Sequence, residues 1–288
     1  MVASANFLIG CAIWAYKPWV GTLYPPGSSA SDFLHLYSQR FTAVEGNTTF
    51  YSVPSEAMVQ RWIQHTSATF QFCLKLPQTI THQGPLMAKV TETTAFLERV
   101  QSLGTRLGPM LAQLPPSYSP RYLDDLVDFL TQFPRQTIPI AVEVRHIDWF
   151  KPDTALRLNH ALTQLGVGRV LLDSRPIYEC DDDPQRRSQR RKPRVPLQPI
   201  TTAPFSLIRY ISHPILDNNQ RYLSEWVAHV SQWYAQGVNV YFFVHCPVEV
   251  RSPSIAQYFQ TQLDNTGLNI PRLPWNDLEQ NPTQLSLF

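Results

Sequence analysis

Residues 138–150 read Ile-Pro-Ile-Ala-Val-Glu-Val-Arg-His-Ile-Asp-Trp-Phe and open as a continuous apolar, β-branched run. That is the pattern of a strand covered on both faces, which occurs in parallel sheets flanked by helices. The run then breaks its own rule. Glu143 and Arg145 stand two residues apart, so they share one face of a strand. Buried charge is costly unless it is paired or solvated. The strand therefore ends either at a polar cavity into which both side chains look, or at a structural ion pair.

The rest of the chain repeats the theme. Short apolar runs at 7–14, 41–51, 70–77, 108–114, 169–173, 205–211 and 238–246 read as further strands. Helical periodicity lies between most of them, at 29–40, from Pro54 onward, and over 91–103, 122–133, 153–165, 219–236 and 252–264. Eight strands alternating with helices predict an α/β fold with a parallel sheet. In a chain of 288 residues they predict one (β/α)8 TIM barrel. The expected domains are a barrel over 1–270 and a C-terminal tail over 271–288. A doubly wound open sheet is the alternative, but no GxGxxG follows the first strand and no GxxxxGK[ST] occurs, so no nicotinamide, flavin or nucleotide cradle supports it.

Composition excludes several classes. With 24 basic and 22 acidic residues the formal charge is only +2, so any nucleic-acid contact must be local. Cys11, Cys73, Cys180 and Cys246 are far apart in sequence, without zinc-ligand spacing. Core-like cysteines, the lack of a leader-like N-terminus and the lack of a membrane-length apolar run give the expectation of a cytoplasmic protein that does not enter membranes.

Barrel chemistry sits at the C-terminal ends of the strands. Those ends carry Trp14 and Tyr16, then Glu45 and Asn47, then Lys75 and Gln113. The later ends carry Glu143, Arg145 and His146, then Asp173, then Arg209 with His213, and His245. Glu143, Asp173, Glu45 and Lys75 are the expected catalytic groups, a carboxylate among cations being a candidate base or metal ligand. Arg145 and Arg209 suit forked capture of phosphate or carboxylate, with Lys75 beside them. Asn47, Gln113 and His146 complete the substrate contacts, and Trp14 and Tyr16 stack a ring. Whether a divalent metal binds through Glu143, Asp173 and neighbouring histidines stays open, since no metal motif is present. The leading expectation is an enzyme acting on a phosphate-containing, nucleic-acid-related substrate. A small-metabolite enzyme, such as a sugar or sugar-phosphate isomerase or hydrolase, is the second reading, and a non-catalytic binding module the third. Glu45 and Glu143 supply the two carboxylates of glycoside hydrolysis, although the surrounding cations fit that chemistry poorly.

Between the sixth and seventh strands runs a long polar loop, about 174–203. It carries Arg186, Arg187, Arg190, Arg191, Lys192 and Arg194 directly after Asp181, Asp182 and Asp183. Like charges at i,i+4 oppose a helix there. Beside the expected active face, the six cations are candidates for phosphate-backbone contact.

The chain resembles the YecE-like family, the domain of unknown function 72. The resemblance spans nearly the whole chain and rests on blocks in family order. They are Gly10 with Trp14, Val44-Glu45-Gly46-Asn47-Thr48-Thr49-Phe50-Tyr51, Phe72-Cys73-Leu74-Lys75-Leu76-Pro77 and Thr79-Ile80-Thr81-His82. Gln113-Leu114-Pro115, Val142-Glu143-Val144-Arg145-His146 and Leu172-Asp173-Ser174-Arg175-Pro176 follow. The resemblance implies a TIM barrel and marks Glu45, Asn47, Lys75, Glu143, Arg145 and Asp173 as the matched polar positions; it supplies no reaction. One departure is that many members read Arg-x-His-Gly at the seventh strand end, where this chain reads Arg209-Tyr210-Ile211-Ser212-His213-Pro214.

A second resemblance lies in the tail. The terminal Gln284-Leu285-Ser286-Leu287-Phe288 is similar to the peptide by which DNA polymerases and mismatch-repair proteins dock on the bacterial β sliding clamp. That resemblance implies the clamp as partner, with Gln284 at a pocket rim and Leu285, Leu287 and Phe288 in apolar subsites. The alternative is a terminus packed on the barrel.

Overall fold

The structure, a computed structural model, describes residues 5–186, 188, 191–273 and 275. Eight parallel strands run in chain order: β1 (Phe7–Cys11), β2 (Ala43–Gly46), β3 (Gln71–Leu74), β4 (Met110–Gln113), β5 (Ile140–Glu143), β6 (Gly168–Asp173), β7 (Phe205–Ile211) and β8 (Asn239–His245). Six of them form a curled sheet in the order β1-β8-β7-β6-β5-β4, and β2 pairs with β3 separately. Helices follow the strands, as the alternation predicts, and the helix over Gln220–Ala235 buries Tyr222, Leu223, Trp226, Val230 and Trp233.

The eight-strand ladder expected of a TIM barrel is not continuous, and the seams have identifiable causes. Between β1 and β2 the Tyr37 hydroxyl stands where a ladder bond would run. It accepts from the Cys11 N–H (2.6 Å) and donates to the Ala43 carbonyl (3.2 Å). The Thr42 hydroxyl accepts from the Ile9 N–H (2.9 Å) beside it. The two backbones also approach closely at Gly10, where a Cβ would lie 1.8 Å from the Ala43 carbonyl oxygen. Between β3 and β4 only isolated bridges occur, Phe72 with Leu107 and Lys75 with Leu111.

Side-chain parity sorts the core into two layers. Leu8, Ala43, Cys73, Leu111, Ala141, Val170, Leu207 and Tyr241, one residue from each strand, share a single buried cluster. The larger cluster lies between the strands and the helices, and includes Ile9, Val44, Phe72, Ala112, Val142, Leu171, Ile208 and Phe242.

Three expectations about local structure are corrected. The second strand ends at Gly46 rather than running to Tyr51, and Thr48–Tyr51 is a helical turn. The Thr49 hydroxyl closes that turn by donating to the carbonyls of Gly46 (3.0 Å) and Lys75 (2.7 Å). The first helix spans only Phe33–Ser38, because Asp32 accepts from both the N–H and the hydroxyl of Ser29 and holds the preceding residues in a turn. The start of the expected tether is anchored: Leu273 and Trp275 pack on the core, with the Trp275 ring 5.2 Å from Phe41. All four cysteines are free thiols, and among the described residues no helix is long and apolar enough to cross a membrane.

Candidate functional site

The residues that follow the inner parity of β2, β3, β4, β5, β7 and β8 are Glu45, Lys75, Gln113, Glu143, Arg209 and His245. All six are buried, and they form one hydrogen-bonded network. Arg209 donates through Nε and Nη2 to both oxygens of Glu45 (2.8 and 2.9 Å). Its Nη1 donates to Glu143 Oε2 (2.5 Å). Glu143 Oε1 accepts from Arg145 Nε (2.5 Å), and Arg145 Nη2 donates to Gln113 Oε1 (2.7 Å). Lys75 Nζ reaches the same Gln113 oxygen (3.0 Å) and lies 3.3 Å from Glu45 Oε1. His245 Nε2 completes the ring at 2.8 Å from Glu45 Oε2.

This arrangement fixes the charge states. Burial raises the Glu143 carboxyl, but Arg145, Arg209 and Lys75 overcome it and hold it at about 2. Glu45 is held well below its usual range against the same burial, by Arg209, His245 and Lys75. Burial drives His245 down to about 4, so its ring is neutral at pH 7 and donates to Glu45. Burial and the Arg209 charge bring Lys75 down to about 8. Three cations thus face two carboxylates. Arg209 directs all three of its nitrogens to Glu45 and Glu143, which leaves one further N–H on each of Nη1 and Nη2 beside the cavity it lines. Among the described residues, spare donors also remain on Lys75 and on Arg145.

Above the network opens a cavity of about 430 Å³ whose lining includes Lys75, Gln113, Arg145, Arg209 and His245. Asn47 lines it too, while its amide donates to the Ala12 carbonyl (2.8 Å) and ties the ends of β1 and β2 together. Phe50, Tyr51 and His82 form an aromatic wall, and Tyr51 is 66% exposed at the mouth.

A model of the family described as Protein of unknown function DUF72 matches residues 8–278. YecE of Escherichia coli strain K12 is 35% identical over 283 residues, covering 97% of this chain and 99% of its own. The chain belongs to the DUF72 family. YunF of Bacillus subtilis strain 168 is 30% identical over 139 residues, covering 46% of this chain and 49% of its own. Two solved DUF72 structures share the fold. The protein from Enterococcus faecalis V583 has a TM-score of 0.69 at 18% identity, covering 90% of this chain and 95% of that one. The protein from Thermotoga maritima MSB8 has a TM-score of 0.67 at 21% identity, covering 90% and 99%.

Several expected residues lie apart from this DUF72 cavity. Asp173 has the outer parity of β6, opposite Leu172. Its oxygens accept from Arg175 Nε and Nη2 (3.0 and 2.9 Å) and from Trp226 Nε1 (2.8 Å), behind the sheet. It therefore does not line the cavity. His146 caps the turn Ile147–Phe150 by accepting the Asp148 N–H at Nδ1 (3.2 Å). Trp14 packs edge-on against Trp62 and Phe72 and lines a neighbouring apolar groove. Tyr16 packs edge-on against Trp19. None of these three lines the cavity.

The basic loop divides. Arg191 and Lys192 line the cavity as its roof. The Lys192 backbone is tied down, its N–H donating to Gln185 Oε1 (2.7 Å) and its carbonyl accepting from the Tyr178 hydroxyl. Arg191 pairs with Asp183 at 2.5 Å. Arg186 is exposed, and Arg194 lies over the Tyr178 ring at 5.4 Å. Arg187 and Arg190 lie outside the described residues, as do Gln284, Leu285, Ser286, Leu287 and Phe288.

Among the described residues one group has metal-ligand composition, Cys180, Asp182 and His213. Its tautomer opposes metal. His213 Nδ1 accepts the Ile215 N–H (3.0 Å), so Nε2 carries the proton and donates to Asp182 Oδ1 (2.9 Å). A metal-binding imidazole has the reverse arrangement, donating from its free nitrogen. The expected ligands Glu143 and Asp173 stand on opposite faces of the sheet.

Sequence reasoning missed Phe50, Tyr51, His82 and Glu249 as cavity residues. Phe50, Tyr51 and His82 stand in the quoted family blocks, and the broken strand at Gly46 is what turns the first two inward. Glu249 lies past the end of β8, in the turn Glu249–Arg251, where strand parity no longer applies.

Proposed function

We propose that the eight strands close into one barrel whose mouth binds the phosphate of a nucleic-acid-related substrate and acts on it as an enzyme. Closure is supported by the cluster that takes a side chain from every strand and by Arg209 of β7 meeting Glu45 of β2 across the interior. The single observation that carries the anion is the unequal charge of the floor. Lys75, Arg145 and Arg209 face Glu45 and Glu143, and the unused donors of Lys75 and Arg145 belong to a cavity roofed by Arg191 and Lys192. An anion entering there gains charge-assisted hydrogen bonds in partly desolvated surroundings. The Phe50 and Tyr51 wall suits a ring attached to that anion.

Within this reading Glu45 and Glu143 position the cations. A carboxyl held at about 2 is a weak base at neutral pH, which leaves Lys75, at about 8, as the floor's proton-exchanging group. The same states disfavour a retaining or inverting glycosidase, which needs one of two carboxyls protonated. Recruitment to the sliding clamp rests on the sequence of 284–288 alone.

Binding of pyrophosphate and of a 5′-phosphorylated oligonucleotide at low ionic strength tests the proposal. Arg145→Ala should weaken both about 10-fold or more, one charge-assisted bond, while the melting temperature stays nearly unchanged. Absence of binding by the unmodified protein overturns the anion reading. Unfolding of the variant makes Arg145 part of a structural lattice.

A further inference from the structure

Among the described residues that line the cavity, the one carboxyl outside the ionised network is Glu249. Its backbone is fixed from the opposite side, the carbonyl accepting from Trp19 Nε1 (3.3 Å). Its Oε1 is buried and has no hydrogen-bond partner among the described residues. A buried carboxylate oxygen without a donor is costly when charged and much less so when protonated. The side chain shares the cavity wall with Lys192, His245 and Arg209. Burial accordingly raises it to about 7, with the Ser252 hydroxyl and the Lys192 ammonium pulling it down and Glu45 pushing it up.

The groups around it hold different charge states, and Lys75, at about 8, also exchanges protons in this range. Glu45 of β2 is ionised and His245 of β8 is neutral. The thiols of Cys11 and Cys246 are both pushed up, the second to about 11. Lys192 is lowered from its ordinary value by burial and by Arg209, and its charge pulls Glu249 down. An anion entering between Lys192 and the floor engages the cations that hold Glu249 ionised and brings negative charge beside it.

We propose that Glu249 is the proton carrier of this cavity, taking up a proton as an anion enters and standing ready to pass it to an oxygen of that anion. The inference rests on the anion-binding reading above. Its bookkeeping is a single proton, drawn from solvent onto the carboxylate on binding, with no other bond made or broken.

Sulfate is the probe, because its charge is fixed across the neutral range. Calorimetric titration of the full chain at pH 7, in two buffers with different heats of ionisation, counts the protons taken up. The unmodified protein should take up roughly half a proton, the share a group titrating near 7 lacks at that pH. Its affinity should fall as pH rises from 6 to 8. Glu249→Gln should bind sulfate at least as tightly, with most of the proton uptake at pH 7 lost and only the pH dependence of Lys75, at about 8, remaining. Lys192→Met should move the midpoint to higher pH, a shift that a merely structural carboxyl would not show. Uptake unchanged in Glu249→Gln, or absent from the unmodified protein, overturns the inference alone. No sulfate binding by the unmodified protein or by Glu249→Gln overturns the anion reading and this inference with it.

Discussion

Replacing Arg209 by methionine keeps the length of the side chain and removes every donor that joins Glu45 to Glu143. Glu45 keeps His245 at 2.8 Å and Lys75 at 3.3 Å, and Glu143 keeps Arg145 at 2.5 Å. Breaking a buried ion pair from one side costs about 3–5 kcal/mol, because the remaining charge stays desolvated. The titration behaviour gives the same scale. Glu143 is lowered from 4.5 to about 2, and the whole of that depression corresponds to about 3 kcal/mol. Arg145 supplies the larger share of it, while for Glu45 Arg209 is the largest favourable influence. For a chain of 288 residues, a melting entropy of about 0.6 kcal/mol per kelvin converts 3–5 kcal/mol into a drop of roughly 5–8 °C.

The dependence on pH separates this account from a simple cavity. A carboxyl depressed in the folded state contributes stability above its unfolded value and loses it as pH falls through the folded value. In Arg209→Met both carboxyls rise toward or past 4.5, so the variant takes up protons first. Its deficit should be full at pH 7.5 and narrow by pH 4. Urea unfolding at both pH values, with unchanged dependence on denaturant, measures it. A loss below about 1 kcal/mol at pH 7.5, or an equal deficit at pH 4, would refute the reasoning.

Three further outcomes are expected. Lys75, brought down to about 8, should hold sulfate below that pH and release it above, and Lys75→Arg should keep binding at pH 9. Because the folded value lies below the ordinary 10.5, the lysine's contribution to stability rises as pH climbs from 8 to 10.5. At the C-terminus, Leu287→Ala with Phe288→Ala should abolish about micromolar binding to an immobilised sliding clamp. Equal binding by the parent and the double variant would leave the pentapeptide without that role.

The strands and the floor of the cavity were legible because apolar runs mark the strands and period two places the floor. Ala43, Cys73, Leu111, Ala141 and Leu207 face inward, so Glu45, Lys75, Gln113, Glu143 and Arg209, each two residues on, must follow them. Applied strictly, the same count places Asp173 outside, since Val170 and Leu172 take the inner parity of β6. The turn at 48–51 was hidden because Thr49, Phe50 and Tyr51 favour strands by composition, and only the hydroxyl of Thr49 bonding to two carbonyls reveals the turn. Glu249 was hidden for a different reason, and Lys192, picked out by its charge run, could not be assigned to the cavity wall from sequence. Their positions depend on where loops land, which no local period encodes.

The residues that give the cavity its charge also hold the molecule together. Across the seam between β1 and β2 the backbone ladder is replaced by the hydroxyls of Tyr37 and Thr42. Across the seam between β3 and β4 only isolated bridges remain. The β2–β3 pair is therefore tied to the six-stranded sheet, on the side of the mouth, through Glu45 and Lys75 meeting Arg209, His245 and Gln113. A substitution within this ring alters packing of the two sheets and cavity electrostatics together, and loss of binding there says little about direct contact. Arg145, Lys192 and Glu249 stand outside the seam. They line the same space without joining the sheets, so a change in anion affinity at those positions reports on recognition itself.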